Sequence, residues 1–378
     1  MRLALDATAL LGSSAGVGTF TIGALDALVR RPGNEMFGYA LSWRGRSLLR
    51  EVLPPGVTSG WAVPAGPLLR LWAHSNLVPA EWILDVDGGV DVVHGTNFVV
   101  PPARHAARVV TVHDLTCLRF PELCTPTSRR YPDLIRRAAR TGAWVHTPSA
   151  YVAAEACELL GLDPDRVRAV HHGAGHPAAE PGDPEAGGGR HLAAALTGCE
   201  RYVLGLGTVE PRKDFPLLVR AFDRLAADRP DLGLVIAGGD GWGTEALNRA
   251  IVAATHGDRI GRAGYVEGAT RSGLLADAAV FAFPSVYEGF GLPPLEAMAA
   301  GVPVVATAAG AVPEVCGDAA VIVPVGDVDA LVVAMAGVLD DPTAATALVT
   351  AGRRHVQDFS WERCAAGLET LYEDAVGA

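Results

Sequence analysis

Short apolar runs alternate with longer helical patterns along the whole of this 378-residue chain, and that rhythm leaves few folds open. In the first half, Leu3-Ala4-Leu5 leads into a glycine-rich loop, Gly12 to Gly18, and then into a helix expected from about Thr19 to Arg30. Further runs of strand length follow at 90–93, 109–112, 144–147 and 168–170, with helices expected at 127–141 and 149–160. Ser149 is a natural N-cap for the second of these. The second half repeats the pattern, with strand-like runs near 202–206, 233–237, 262–266, 279–283, 303–306 and 320–323. Strands that alternate with helices predict parallel sheets with helices on both faces, the doubly wound α/β class. The length favours two such domains. After His171-His172-Gly173 comes a stretch rich in Pro and Gly at 174–190, which reads as the linker between domains at 1–173 and 191–359. The tail, 360–378, reads as an amphipathic helix capped by Ser360, with Trp361, Leu368 and Leu371 on its buried side. It is expected to pack back on the first domain.

The most informative segment runs from Pro284 to Glu296 and reads PSVYEGFGLPPLE. The run Val280-Phe281-Ala282-Phe283 leads in like a buried strand, and Leu295 to Ala300 leads out like a helix. The glycines let backbone approach a ligand closely. Pro293 or Pro294 suits the first helical turn, where no N–H partner is needed. Glu288 then falls in the loop after a strand and Glu296 about one turn into the next helix. Both could reach one ligand at the strand's carboxyl end, where open α/β sheets bind ligands.

The chain has 31 basic residues, and a single one, Lys213, is lysine. It stands beside Arg212 in Gly207-Thr208-Val209-Glu210-Pro211-Arg212-Lys213-Asp214, directly after the apolar run Tyr202 to Leu206. A compact ammonium next to a forked guanidinium suits a phosphate. The plain alternative is a solvated loop ahead of a helix-starting Asp.

Charge is unevenly spread within the net −11. Residues 1–173 hold 17 Arg against 15 acidic residues, whereas the remainder holds 14 basic and 27 acidic residues. A nucleic-acid partner is not expected of such a chain. Five arginines, at 129, 130, 136, 137 and 140, make a basic segment at 127–140 that could touch an anionic membrane peripherally. Pro132 interrupts it, and a charge run is commonly only a solvated face. The six cysteines form no CxxC pair, so neither a zinc knuckle nor a thioredoxin motif is suggested. Met1 to Asp6 reads as a short strand with an early charge rather than a leader, so a cytoplasmic setting is expected, extending to the inner face of the membrane if the basic segment docks.

With these residues in place, the chain resembles the retaining GT-B glycosyltransferases of family 4 over nearly its whole length. The resemblance rests on the glycine-rich loop, the His113-Asp114 pair after a strand, the Arg212-Lys213 pair and the two-glutamate segment with its Gly-Phe-Gly-Leu core intact. It implies two Rossmann-like domains facing across a cleft, the first binding an acceptor and the second a sugar nucleotide. Position by position, Glu296 matches the glutamate that holds ribose hydroxyls and Glu288 the one that meets the donor sugar. Phe290, Gly291 and Leu292 match positions along sugar and phosphates, and Arg212 and Lys213 match a diphosphate clamp. His113 matches a residue beside the reacting sugar, and Gly16 and Gly18 match a loop that closes over the phosphates. Asp214 departs from the pattern, since the family often has Asn there, but a capping role would survive. Gly238-Gly239-Asp240-Gly241 follows the family's pattern only loosely.

The resemblance further implies a hexosyltransferase that retains anomeric configuration by front-face substitution. No cofactor is expected beyond the nucleotide-sugar co-substrate. His94-Gly95-Thr96-Asn97 and the segment around His113 look most like mannosyl- and related transferases of polysaccharide assembly. GDP-mannose is therefore the first donor expected, with UDP- or dTDP-sugars open, and the acceptor is a glycan, lipid-linked or small-molecule hydroxyl. A silent GT-B scaffold is the alternative of another class. No Asp-x-Asp follows a strand in a position to bridge a metal to a diphosphate, and Asp85-Val86-Asp87 has the spacing beside Gly88-Gly89 only in an expected surface turn, so metal independence is expected. Gly16-Val17-Gly18 lacks the full dinucleotide fingerprint, because the next glycine is Gly23. A glycosidase would use paired carboxylates but not the phosphate clamp.

Overall fold

The computed structural model describes residues 1–12, 16–43, 45, 47–84, 86–174 and 188–378. These form two compact units, one of Met1–Gly173 with Phe359–Ala378 and one of Ala174–Asp358. Most of the expected linker lies outside the described residues, and its last three positions already belong to the helix Gly188–Thr197.

In the first unit the described strands are β1 (Arg2–Asp6), β2 (Glu35–Ala40), β3 (Val57–Ala62), β4 (Val92–Gly95), β5 (Ala107–Thr111), β6 (Trp144–Thr147) and β7 (Val167–Ala169). They form one parallel sheet in the order β3-β2-β1-β4-β5-β6-β7. The order reverses between β1 and β4, which opens a crevice at their carboxyl ends. Period-2 alternation splits β1 between two cores. Leu3 and Leu5 face the helix Gly16–Val29 and the C-terminal helix Trp361–Gly377, whereas Ala4 joins Val93, Ile135 and Val152 on the other side. The C-terminal helix buries Leu368, Leu371 and Tyr372 completely or nearly so. Each such side chain contributes roughly 1.5–3 kcal/mol to holding it there. Ser360 caps the helix by accepting from the Arg363 N–H at 3.2 Å.

In the second unit β8 (Arg201–Leu206), β9 (Leu232–Ala237), β10 (Ile260–Gly264), β11 (Val280–Phe283), β12 (Val304–Thr307) and β13 (Val321–Val323) form a second parallel sheet. Its order is β10-β9-β8-β11-β12-β13, so the reversal falls between β8 and β11. The two segments that sequence singled out leave the sheet at these two strands.

Three local expectations change. The glycine-rich loop is shorter than expected because the helix already starts at Gly16, so Gly16 and Gly18 occupy its first turn. Positions 13–15 of that expected loop lie outside the described residues. Pro132 opens the helix Tyr131–Arg140 instead of interrupting it, since an orphan donor position has no use for an N–H. The expected strand at 262–266 ends at Gly264, whose φ of +67° turns the chain and leaves Tyr265 exposed. Among the described residues no single helix is long and apolar enough to cross a membrane.

Candidate functional site

At the reversal point of the second sheet, the loops after β8 and β11 are tied together. The Val286 N–H donates to the Arg212 carbonyl at 2.8 Å, and the Ala311 N–H, from beyond β12, donates to the Glu288 carbonyl at 2.9 Å. Gly310 makes the second contact achievable, because a Cβ there would lie 2.3 Å from the Glu288 carbonyl oxygen. Gly291, at φ +118°, turns the chain into the helix Leu292–Ala299, with proline in its first turn. Phe290 is buried, and Leu292 opens the helix.

The side chains in this corner form an ionic cluster. Lys213 Nζ donates to Glu288 Oε1 at 2.6 Å, and Arg212 Nη1 donates to Glu288 Oε2 at 2.6 Å and to the Tyr287 carbonyl at 2.9 Å. Ser285 donates its hydroxyl to Glu288 Oε1 at 2.7 Å, and Thr307 in turn donates to the Ser285 carbonyl. Lys213 also lies over the Phe283 ring, 4.8 Å from its centre, a favourable place for a cation. Glu210 approaches the far side of Arg212 at 3.6 Å. Burial alone would raise the Glu288 carboxyl, but Arg212, Lys213 and the two hydroxyl and ammonium hydrogen bonds outweigh it and hold the group at about 2. Burial pulls Lys213 below its ordinary value, and Glu288 opposes that shift. Two fixed cations therefore stand side by side at a sheet's carboxyl edge, with a carboxylate between them that is ionised at any physiological pH.

Glu296, on the helix Leu292–Ala299, has its carboxylate engaged by Arg271 from the helix Gly268–Asp277. Asp214 sits at φ +40°, a left-handed conformation that Asp tolerates, and its carboxylate caps the next helix by accepting from the Leu217 N–H at 3.2 Å. So the second unit brings together Arg212, Lys213 and Glu288 directly, with Phe290, Gly291, Leu292 and Glu296 following on the same loop and helix. Ser285, Thr307, Glu210 and Arg271 belong to this constellation as well. Ser285 could have been read from its place three residues before Glu288, but nothing in the sequence links Arg271 to Glu296.

His113, Gly16 and Gly18 belong to the first unit. His113 follows β5, and its Nε2 donates to the Thr96 carbonyl at 2.7 Å, which leaves Nδ1 as the ring's acceptor. Burial lowers its basicity, against weaker opposition from the Thr96 bond and Asp114. His171 and His172 point opposite ways, the first stacking on Phe359 and the second on Phe20. In the basic segment, Arg136 and Arg137 are half-buried and donate to the Leu159 carbonyl and to Asn76, whereas Arg129, Arg130 and Arg140 are exposed, although Arg129 and Arg140 also donate to backbone carbonyls. Asp87 lies in an exposed turn, and Asp85 is outside the described residues. Among the described residues no group of three or more His, Cys, Asp or Glu is placed to hold a metal ion.

Comparison with known proteins bears on the family and the fold. The family model described as Glycosyltransferase Family 4 matches residues 14–174, and the one described as Glycosyl transferases group 1 matches residues 195–355. The chain is 30% identical over 291 residues to the O-antigen chain mannosyltransferase B of Escherichia coli, covering 75% of this chain and 74% of that protein. It is 35% identical over 182 residues to the phosphatidyl-myo-inositol mannosyltransferase of Mycolicibacterium smegmatis, covering 47% and 46%. Among solved structures, HepE of Anabaena in complex with UDP and glucose superimposes with a TM-score of 0.75 at 17% identity, covering 99% of this chain and all of that one. The sucrose-phosphate synthase of Thermosynechococcus elongatus gives a TM-score of 0.74 at 20% identity, covering 99% and 98%. At those identities the two structures speak for the fold alone, two parallel-sheet Rossmann-like domains of the GT-B type. With the fold, both family models and a relative matched over three quarters of its length in agreement, the chain belongs to glycosyltransferase family 4 and is a mannosyltransferase-like glycosyltransferase.

Proposed function

We propose that this glycosyltransferase moves mannose from GDP-mannose to a hydroxyl of a glycan, lipid-linked or small-molecule acceptor, with retention of configuration and without a metal ion. The observation that carries the reading is the Arg212–Lys213–Glu288 cluster, with Lys213 and Glu288 buried, at the reversal point of the second sheet. Breaking a sugar–phosphate bond leaves negative charge on the departing diphosphate, and preorganised cations act where that charge develops. In this role Arg212 and Lys213 hold the diphosphate. Glu296 accepts from the ribose hydroxyls, and Glu288 accepts from a hydroxyl of the donor sugar. The backbone from Phe290 to Leu292 runs beside sugar and phosphates, with the N-terminus of the helix Leu292–Ala299 adding its donors. By their match to the family's pattern, His113 and the turn at Gly16–Gly18 also act in the transfer.

The bond from the sugar's C1 to the β-phosphate oxygen breaks, and the electron pair leaves with GDP. The acceptor oxygen bonds to C1 on the same face, and its proton passes to the departing phosphate oxygen. Two features of the relatives support the mannosyl donor. Several carry mannosyltransferase in their names, and one from Corynebacterium glutamicum, 35% identical over 161 residues, is named as GDP-mannose-dependent. The outward charge of Arg129, Arg130 and Arg140 supports peripheral contact with an anionic membrane, which a lipid-linked acceptor would use.

A thermal-shift panel of GDP-mannose, UDP-glucose and dTDP-glucose tests the donor, since a ligand stabilises the fold it binds. GDP-mannose should give the largest shift. A larger shift with UDP- or dTDP-glucose would reassign the donor, and binding without release of nucleoside diphosphate on adding acceptors would favour the silent scaffold. An α-linked product by NMR would support retention.

A further inference from the structure

Phe20 is completely buried on the helix Gly16–Val29, and four histidine rings surround it. His172 stacks on it with ring centres 4.3 Å apart and planes 22° apart. His146 lies at 5.3 Å and 29°, and the ring of His94 stands edge-on at 6.3 Å. His113 meets Phe20 at 5.4 Å and 75°, a T-shaped contact. On its other side His113 meets the ring of Phe98 at 5.8 Å and 81°. Parallel strand order brings these residues together, because His94 and His146 lie within β4 and β6 while His113 and His172 follow β5 and β7.

The wall behind Phe20 is fixed by its protons. His146 Nε2 faces the Val170 carbonyl at 3.1 Å and must donate to it. Its Nδ1 therefore accepts from the Thr111 hydroxyl at 2.9 Å. The Thr111 oxygen then accepts from His94 Nε2 at 2.7 Å, and His94 Nδ1 accepts from the Tyr372 hydroxyl at 2.7 Å. One assignment of tautomers satisfies the whole chain, with both imidazoles neutral. Burial keeps them so, lowering His146 to about 3 and pushing His94 well below its ordinary value. Phe20 thus rests on a set of rings that cannot rotate without breaking hydrogen bonds.

We propose that Phe20 is a positioning residue for His113, whose imidazole it holds in one plane against the tether to the Thr96 carbonyl. The proposal rests on His113 acting in glycosyl transfer. The tether fixes only one ring nitrogen, and rotation about that bond would swing Nδ1 through an arc. The edge contacts with Phe20 and Phe98 close the arc from two sides. Phe20 lies four residues after Gly16 and two after Gly18, so the glycine turn and the ring that holds His113 stand on one helix. His172, stacked on Phe20, is the last residue but one of the first unit's leading segment. The titratable groups facing His113 are Asp114 on its own loop, His94 on β4, His146 on β6 and His172 after β7.

The test compares Phe20→Leu, Phe20→Tyr, His172→Ala, His172→Phe and His113→Asn in release of GDP from GDP-mannose, or of the corresponding nucleotide from whichever sugar donor the thermal-shift panel selects. His113→Asn should lose at least tenfold in kcat. Phe20→Leu and His172→Ala should lose about tenfold in kcat with donor KM unchanged. Their acid limb of kcat/KM should move to higher pH as water reaches the loosened imidazole. Phe20→Tyr and His172→Phe, which keep the rings, should restore both readouts. Circular dichroism identifies folded variants, and His172→Ala carries the test if Phe20→Leu does not fold. If His113→Asn loses turnover while folded Phe20→Leu and His172→Ala keep wild-type kcat and acid limb, the positioning role is overturned and the role of His113 stands. If His113→Asn keeps full turnover, the role of His113 itself is wrong and the proposal falls with it.

Discussion

Glu288→Gln keeps the size of the side chain and removes the one charge that lies between Arg212 and Lys213. Glu288 is 6% exposed and Lys213 9%, so a buried Lys213 and a half-buried Arg212 would be left beside a neutral amide. The folded structure lowers the Glu288 carboxyl from 4.5 to about 2, which corresponds to roughly 3 kcal/mol in favour of the ionised form. Removing one partner of a buried ion pair typically costs about 3–5 kcal/mol. Because the folded value is depressed, this contribution is present above pH 4.5 and is lost as pH falls toward 2. Urea unfolding of the GDP-responsive transition at pH 7 and low phosphate should therefore show Glu288→Gln less stable by about 3 kcal/mol. GDP should raise its melting temperature more than it raises that of the wild type, because the diphosphate supplies the missing anion, while turnover falls. If the variant matches the wild type in stability and its GDP shift is no larger, Glu288 does not neutralise the clamp and the electrostatic reading of this corner is wrong.

Lys213→Ala should lower kcat by about 10²–10³-fold, as removing one transition-state donor does, and Lys213→Arg should lower it less; near-normal turnover of the alanine form would make the lysine incidental. His94, His113, His146 and His172 are held neutral chiefly by burial, so each stabilises the fold above the unfolded value of 6.5 and loses that contribution as pH falls. His146, held at about 3, alone implies a slope of about 1.4 kcal/mol per pH unit between those limits, and a urea midpoint that stays flat from pH 6.5 to 4.5 would contradict the buried cluster. Activity should survive EDTA; loss on chelation and recovery with Mg²⁺ or Mn²⁺ would bring Asp85 and Asp87 back into consideration.

The doubly wound class was legible because most strands are uninterrupted apolar runs buried on both faces, as parallel strands are. β2 and β3 were not, because Gly38 and Gly60 break their runs. Both glycines stand where neighbours pack closely: a Cβ on Gly38 would lie 2.5 Å from the Leu53 side chain, and one on Gly60 would lie 3.2 Å from the Gly38 carbonyl. The Glu288–Arg212–Lys213 corner could be anticipated because each loop carries its own signal, a glycine turn or a lone lysine, directly after a strand. Arg271 carries none. It reaches Glu296 because two helices from consecutive crossovers pack side by side, which is a fact of topology. The histidine cluster is illegible for the same reason. Its successive members lie 19 to 33 residues apart in sequence and meet only because β4 to β7 are neighbours in the sheet.

The assignment of the second unit's corner to a nucleotide sugar is tested most directly by calorimetric titration of GDP into the wild type and Glu296→Ala. The wild type should bind, and the variant should bind about 10- to 150-fold more weakly, the loss of roughly 1.5–3 kcal/mol expected when hydrogen bonds to a charged acceptor are removed. Its circular dichroism should stay that of the wild type. Equal affinity in the two proteins would remove Glu296 from the ribose, and failure of the wild type to bind GDP, UDP or dTDP would contradict the nucleotide-sugar site altogether.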